Sequence, residues 1–174
     1  MPYQDDLEAA LQRARWDAYD RGAFYRGEPD TRAQSMSEQE YVAWMVAEQR
    51  ASIVEAFGED AWEPDDTMAR DSWRCAQIMV CDPDTLLESQ PFSGTHSVID
   101  MTGVADEPAP GMVAPVPPEI LDEVFGTRRP SDALVAQAVA EYTLDDFGRW
   151  HGAYVVAYDG DVPAAVHFFG HSGD

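Results

Sequence analysis

The sequence predicts a single α+β domain spanning residues 1–174, helix-rich in its N-terminal half and closed by a helix and a β-hairpin. Three observations carry this expectation. Apolar residues recur at helical spacing through 5–21, 38–57 and 132–147. Asp159-Gly160 separates two strand-like runs, the strongest short-range hairpin signal. The length of 174 residues is ordinary for one domain with a sizeable core.

The first helix is expected over 5–21. Asp5 and Asp6 supply an N-cap and negative charge at the positive end of the dipole, and Gly22 supplies a stop. Leu7, Leu11, Ala14 and Ala18 form its apolar face. Residues 26–36 read as a polar connection. Ser37 and Glu40 make a capping box that opens a helix over 38–57. Its stripe is Val42, Met45, Val46, Ile53, Ala56 and Phe57, widened by Tyr41 and Trp44, with Gly58 at the C′ position. An acidic connection leads to a third helix over 66–80, although 76–80 also reads as a strand. Asp82-Pro83 ends either one.

Residues 96–101 form a short strand candidate. Residues 103–118, with five prolines, read as a Pro-rich loop crossing the domain. Pro118 opens a short helix ending at Gly126, and Ser131 caps the next helix. Leu134, Val135, Ala138, Val139, Tyr142 and Phe147 are its expected buried face. A two-residue Asp159-Gly160 turn would place His151, Ala153, Val155, Ala157, Val162, Ala164, Val166 and Phe168 on one apolar face. The hairpin is expected to join 96–101 in a small antiparallel sheet. Pro163 cannot donate to a ladder, so its strand is expected at an edge.

Charge narrows the function classes. Acids outnumber bases 33 to 11 and the net charge is −22. Direct binding to nucleic acid or an anionic membrane is therefore disfavoured. No apolar run is long enough to span a bilayer. The first residues lack a basic and then apolar leader pattern, so a cytoplasmic location is expected. All eleven bases are Arg, and Lys and Asn are missing, as codon bias in a GC-rich bacterial genome would produce. Leu, Ile, Val and Phe total only 33, but five Trp and seven Tyr argue for a packed core of modest size. Cys75 and Cys81 lie six apart, on different faces of a helix, and read as reduced thiols.

No phosphate loop, dinucleotide fingerprint, zinc-protease helix, nucleophile elbow or calcium loop is present. No cofactor is expected. His151, His167, His171 and Asp174 are the only clustered catalytic-type side chains, and the three histidines could hold a metal, but a two-residue turn points His151 and His167 to opposite faces and only a bulged three-residue loop would bring them onto one. Cys75 with His96 could form a nucleophile–base pair, although only Arg74 is at hand to lower the thiol pKa. Asp65, Asp66 and Asp71 are poorly spaced for one metal, and Asp65 and Asp66 suit a helix start better. Arg128-Arg129 could grip an anion.

The charge distribution is the most unusual feature. Residues 1–32 hold seven acids and five arginines, whereas 51–126 hold sixteen acids and two arginines. Such a surface attracts a basic protein partner and speeds encounter. Trp62, set among Glu59, Asp60, Glu63, Asp65 and Asp66, suits a contact anchor. The expected function is a non-enzymatic acidic inhibitor or regulator of the immunity-protein, antitoxin or DNA-mimic type. The likeness to such proteins is one of composition, not of motif. The alternatives are a small enzyme using the C-terminal histidines, with or without metal, and a structural component of a phage or plasmid system.

Overall fold

The computed structural model describes residues 1–28, 30–144 and 148–170. Asp6 accepts a hydrogen bond from the Ala9 amide and starts α1 (Leu7–Asp20). Leu11 and Ala18 are buried as expected, and so are Ala10 and Arg15. The 26–36 connection contains a short helix, α2 (Thr31–Ser35), capped by Asp30. Helix α3 (Glu38–Phe57) has the expected bounds, and both halves of its capping box form. A 3-10 turn (Glu59–Ala61) leads to α4 (Thr67–Ala76), which is shorter than expected. Asp82-Pro83 starts a helix rather than ending one. Asp82 caps α5 (Pro83–Glu88), with Pro83 in the first turn, where its missing N–H costs nothing.

The 96–101 segment is not a strand. Ser97 caps a 3-10 turn over Val98–Asp100, which tucks Ile99 and Asp100 into the interior. The strands come instead from the Pro-rich segment, as β1 (Gly103–Val104) and β2 (Met112–Pro115). Helices α6 (Pro118–Phe125) and α7 (Asp132–Ala140) follow, then β3 (Gly152–Asp159) and β4 (Val162–Gly170). The sheet order is β1-β2-β3-β4. β1 and β2 pair parallel, β2 and β3 pair parallel, and only the hairpin is antiparallel. The sheet is therefore mixed, not antiparallel, because α6 and α7 carry the chain back before β3 begins.

Helix α7 stops well before residue 147. Tyr142 adopts a left-handed conformation (φ 56°), and the Thr143 amide closes on Ala138 O at 3.0 Å, a helix-terminating arrangement. Val135 and Ala138 are buried, whereas Leu134 and Tyr142 are exposed. The expected Phe147 contact lies outside the described residues.

The hairpin turns at Gly160-Asp161, one residue later than expected, with Gly160 left-handed at φ 61°. Tyr158 pairs with Pro163, then Ala157 pairs with Ala165, so Ala164 is an extra residue in β4. Proline explains the irregularity. Pro163 has no N–H to give, and the Tyr158 amide donates instead to Pro130 O at 2.8 Å. The later turn shifts the pairing by two residues and the bulge by a third, so Ala157 faces Ala165 rather than Val162 and the faces of β4 are exchanged. Ala165 joins Ala153, Val155 and Ala157 on the face packed by Val116, Val135 and Ala138 and by side chains of α6. Tyr154 and Phe168 take the other face, against Leu11, Met101 and Val113. The sheet is thus covered on both sides.

Both sheet edges are closed. Glu8 Oε2 accepts from the Val104 amide at 2.9 Å on the β1 side. Residues 1–3 run along β4, with Tyr3 N donating to Ala164 O and Val166 N to Met1 O. Inside, Arg15 is 2% exposed and donates to Ile99 O, Gln12 and Asp84.

Candidate functional site

Helix α3 packs against α2, α4 and the 3-10 turn. Its first turns are well fixed. Tyr41 is buried, and its hydroxyl donates to Asp30 Oδ2 at 2.7 Å, tying α3 to the cap of α2. Trp44 packs on Tyr41 at 5.6 Å between ring centroids and carries the Arg32 guanidinium 4.4 Å above its ring. Trp73 of α4 donates from Nε1 to Met36 O at 3.2 Å.

Beyond that joint the helix is poorly covered. Of its twenty residues only Tyr41 and Val42 are buried. Met45, Val46 and Ile53 are half-buried, Ala56 is exposed, and Phe57 is 78% exposed. The expected inward stripe therefore continues outward, and exposed Met68 of α4 extends it. Val42, Ala43, Val46 and Pro64 form the apolar part of an open groove of about 870 Å³. Glu38, Gln39, Asp65, Asp66 and Arg70 complete its lining.

Four of the six expected contact residues lie just outside this groove. Glu59, Asp60 and Glu63 are exposed and Trp62 is half-buried. Glu59 pairs with Arg50 of α3. Asp65 and Asp66 line the groove itself. Asp65 accepts from the Thr67 amide at 2.9 Å, which holds its carboxyl below the usual range. Asp66 is held low chiefly by Arg70, whose Nε and Nη2 converge on one Asp66 oxygen at 3.0 and 2.7 Å. Arg70 Nη1 reaches across to Glu38 at 3.1 Å. Asp71 pairs with Arg74, away from a shared metal position with Asp65 and Asp66.

The apolar half of this site was not anticipated. The signal was present, because Tyr41, Trp44, Val42, Val46 and Ile53 make α3 apolar over more of its circumference than one buried face needs.

The remaining candidates are dispersed. His167 Nε2 meets Asp132 Oδ1 at 2.8 Å, joining β4 to α7. The bulge puts His167 opposite Val155, while His151 lies four residues before Val155 and its Nδ1 meets Arg149 O at 2.7 Å. His171 and Asp174 lie outside the described residues. Among the described residues, no three His, Cys, Asp or Glu side chains are grouped to hold a metal. Cys75 borders a cavity of about 350 Å³ with Arg26, Tyr41 and Gln90. Burial first, then Asp71 and Glu88, push its thiol pKa up, the wrong direction for a resting thiolate. His96 stacks on Tyr25 at 4.9 Å. Arg128 pairs with Asp122, and Arg129 with Asp161, so neither guanidinium is presented bare to an anion.

No helix among the described residues is long and apolar enough to cross a membrane. Compared with protein-family models, curated proteins and solved structures, the chain matches none of them.

Proposed function

We propose that this protein is a non-enzymatic acidic binding protein that neutralises or regulates a basic protein partner, and that the partner docks on the outer face of α3 and α4. One observation carries the reading. A twenty-residue helix buries two of its side chains and leaves an apolar groove whose lining holds three carboxylates and one arginine. Exposed apolar surface of this kind marks interaction sites, and the acids around it select the sign of the partner. A second copy of the chain is disfavoured by the same charge, since both copies carry −22. Glu59, Asp60 and Glu63 act at long range and draw the partner in. Trp62 and the groove hold it.

The test separates these two roles. The immobilised chain is used to capture proteins from host lysate, the protein retained is purified, and its association and dissociation rates are measured at low and high salt. Reversing Glu59, Asp60 and Glu63 to Arg should slow association about tenfold at low salt and much less at high salt. Val46→Glu should speed dissociation and leave association nearly unchanged. If both variants keep wild-type rates, this face is not the binding surface. If the recovered protein is not basic and its binding ignores salt, the class of partner is wrong.

A further inference from the structure

Arg70 holds an unusual place in the groove. It is one of only two arginines among sixteen acids in residues 51–126, and it is the sole base lining the groove. Its guanidinium lies between Asp66 of its own helix and Glu38 at the start of α3. These ion pairs are exposed, with the Arg70 side chain at 46%. Exposed pairs add little stability and open readily. Asp66 Oδ2 takes both of its bonds, so Oδ1 receives none from Arg70. The clamp of Glu38 and Asp66 thus has room for a guanidinium and currently holds its own.

Resting on the docking reading above, we infer that Arg70 occupies the position of a partner arginine, and that the partner element is a cationic amphipathic helix. Its arginine displaces Arg70 from Glu38 and Asp66, while its apolar residues enter the groove over Val42, Ala43 and Val46. The spacing fits this occupant. Glu38, Val42 and Val46 recur every four residues, so acid and apolar positions succeed one another along a single line of α3. A helix laid beside that line presents arginine and leucine at the matching interval. Arg70 then acts as an internal competitor. It keeps the carboxylates from repelling one another in the free protein and lowers affinity for weakly matched basic sequences.

The probe is a synthetic Arg/Leu amphipathic helix of about 18 residues, roughly 27 Å long, compared with a Gln/Leu helix of the same pattern. Binding to the full chain is measured by calorimetry at low salt. Wild type should bind the Arg/Leu peptide and not the Gln/Leu peptide. Arg70→Gln should bind it about tenfold tighter. Arg70→Lys, which keeps the charge but loses the planar fork, should fall between the two. Adding Val46→Glu to Arg70→Gln should abolish binding. Equal affinity of wild type, Arg70→Gln and Arg70→Lys overturns the competitor role and leaves the docking reading intact. Binding that Val46→Glu leaves unchanged places the peptide elsewhere and overturns both. Failure of wild type and Arg70→Gln alike to bind the Arg/Leu peptide also overturns both. The melting temperature of each variant confirms that it is folded before binding is scored.

Discussion

Replacing Tyr41 with Phe removes one hydroxyl and keeps the ring that fills the α2–α3 joint. The lost bond is the 2.7 Å donation to Asp30 Oδ2. A hydrogen bond to a charged acceptor contributes about 1.5–3 kcal/mol. Asp30 stays in contact with water and keeps its bonds from Arg32 N and Ala33 N, so the lower end applies, about 1–1.5 kcal/mol. In a chain of this size that lowers the melting temperature by about 2–6 °C at pH 7. The pH dependence identifies the bond. Burial alone would raise the Asp30 pKa, but the Tyr41 hydroxyl and the two amides outweigh it and hold it low. A carboxyl held low in the folded state contributes stability above its unfolded pKa, near 3.9, and that contribution is lost as pH falls through the folded value. Tyr41 is shifted the other way, upward, by burial first and then by Asp30. Its contribution is present below its unfolded pKa, near 10, and is lost as pH rises beyond it. The difference between wild type and Tyr41→Phe should therefore be widest at neutral pH and shrink below pH 4 and above pH 10. Thermal melts followed by circular dichroism across that range measure it. A difference that is constant with pH, or absent at pH 7, refutes the role given to this pair.

Three further outcomes follow from the packing. Arg15→Met strands the buried Ile99 carbonyl and should cost about 2–4 kcal/mol in urea unfolding, whereas Asp84→Asn, at a carboxylate 73% exposed, should cost less than about 1 kcal/mol. Gly152→Ala would bring a methyl within 2.7 Å of Val113 Cγ1 and Met101 Sδ, and should destabilise the sheet by about 1–3 kcal/mol in the same assay. Cys81 is exposed and should react with a thiol reagent faster than Cys75 at pH 7.5, while the Cys75 rate should climb more steeply toward pH 9 because its thiol is raised.

The parts of the fold legible in the sequence were those fixed by neighbours in the chain. Ser37 and Glu40 announce α3 because the capping box closes within one turn. Asp6 and Gly126 mark helix ends for similarly local reasons. Asp82-Pro83 carries two meanings, since proline both ends one helix and begins another, and only the fold of 84–88 decides between them. The hairpin was legible but its register was not. Asp-Gly signals the turn, but the turn falls one residue later, and beyond it a bulge forms where the Tyr158 amide leaves the ladder for Pro130 O. Strands β1 and β2 are not legible because β3, the strand they join, lies beyond two helices, and because two and four residues, with Gly103, Ala114 and Pro115 among them, are too short a run to show alternation. At the candidate site, the acids could be read from composition. The groove could not, because whether an apolar stripe is covered is a tertiary fact. The C-terminal histidines illustrate the same limit, since the partner of His167 is Asp132 on another element.

Residues 1–3 lie along β4, some 160 positions downstream, and Glu8 lies on β1. A ribosome adds about 5–20 residues per second, so on the order of ten to thirty seconds separate the synthesis of the first strand-like segment from that of its partner. During that interval β1 and β2 can emerge with no hairpin to dock on, while α1 and α3 can already form. The nascent chain is then a string of acidic helices, whose mutual repulsion discourages premature association between neighbouring chains on one message. The full sheet waits for β3 and β4, and only with β4 in place can residues 1–3 cover its far margin. Residues 1–3 are made long before β4 and can dock on it only once it exists.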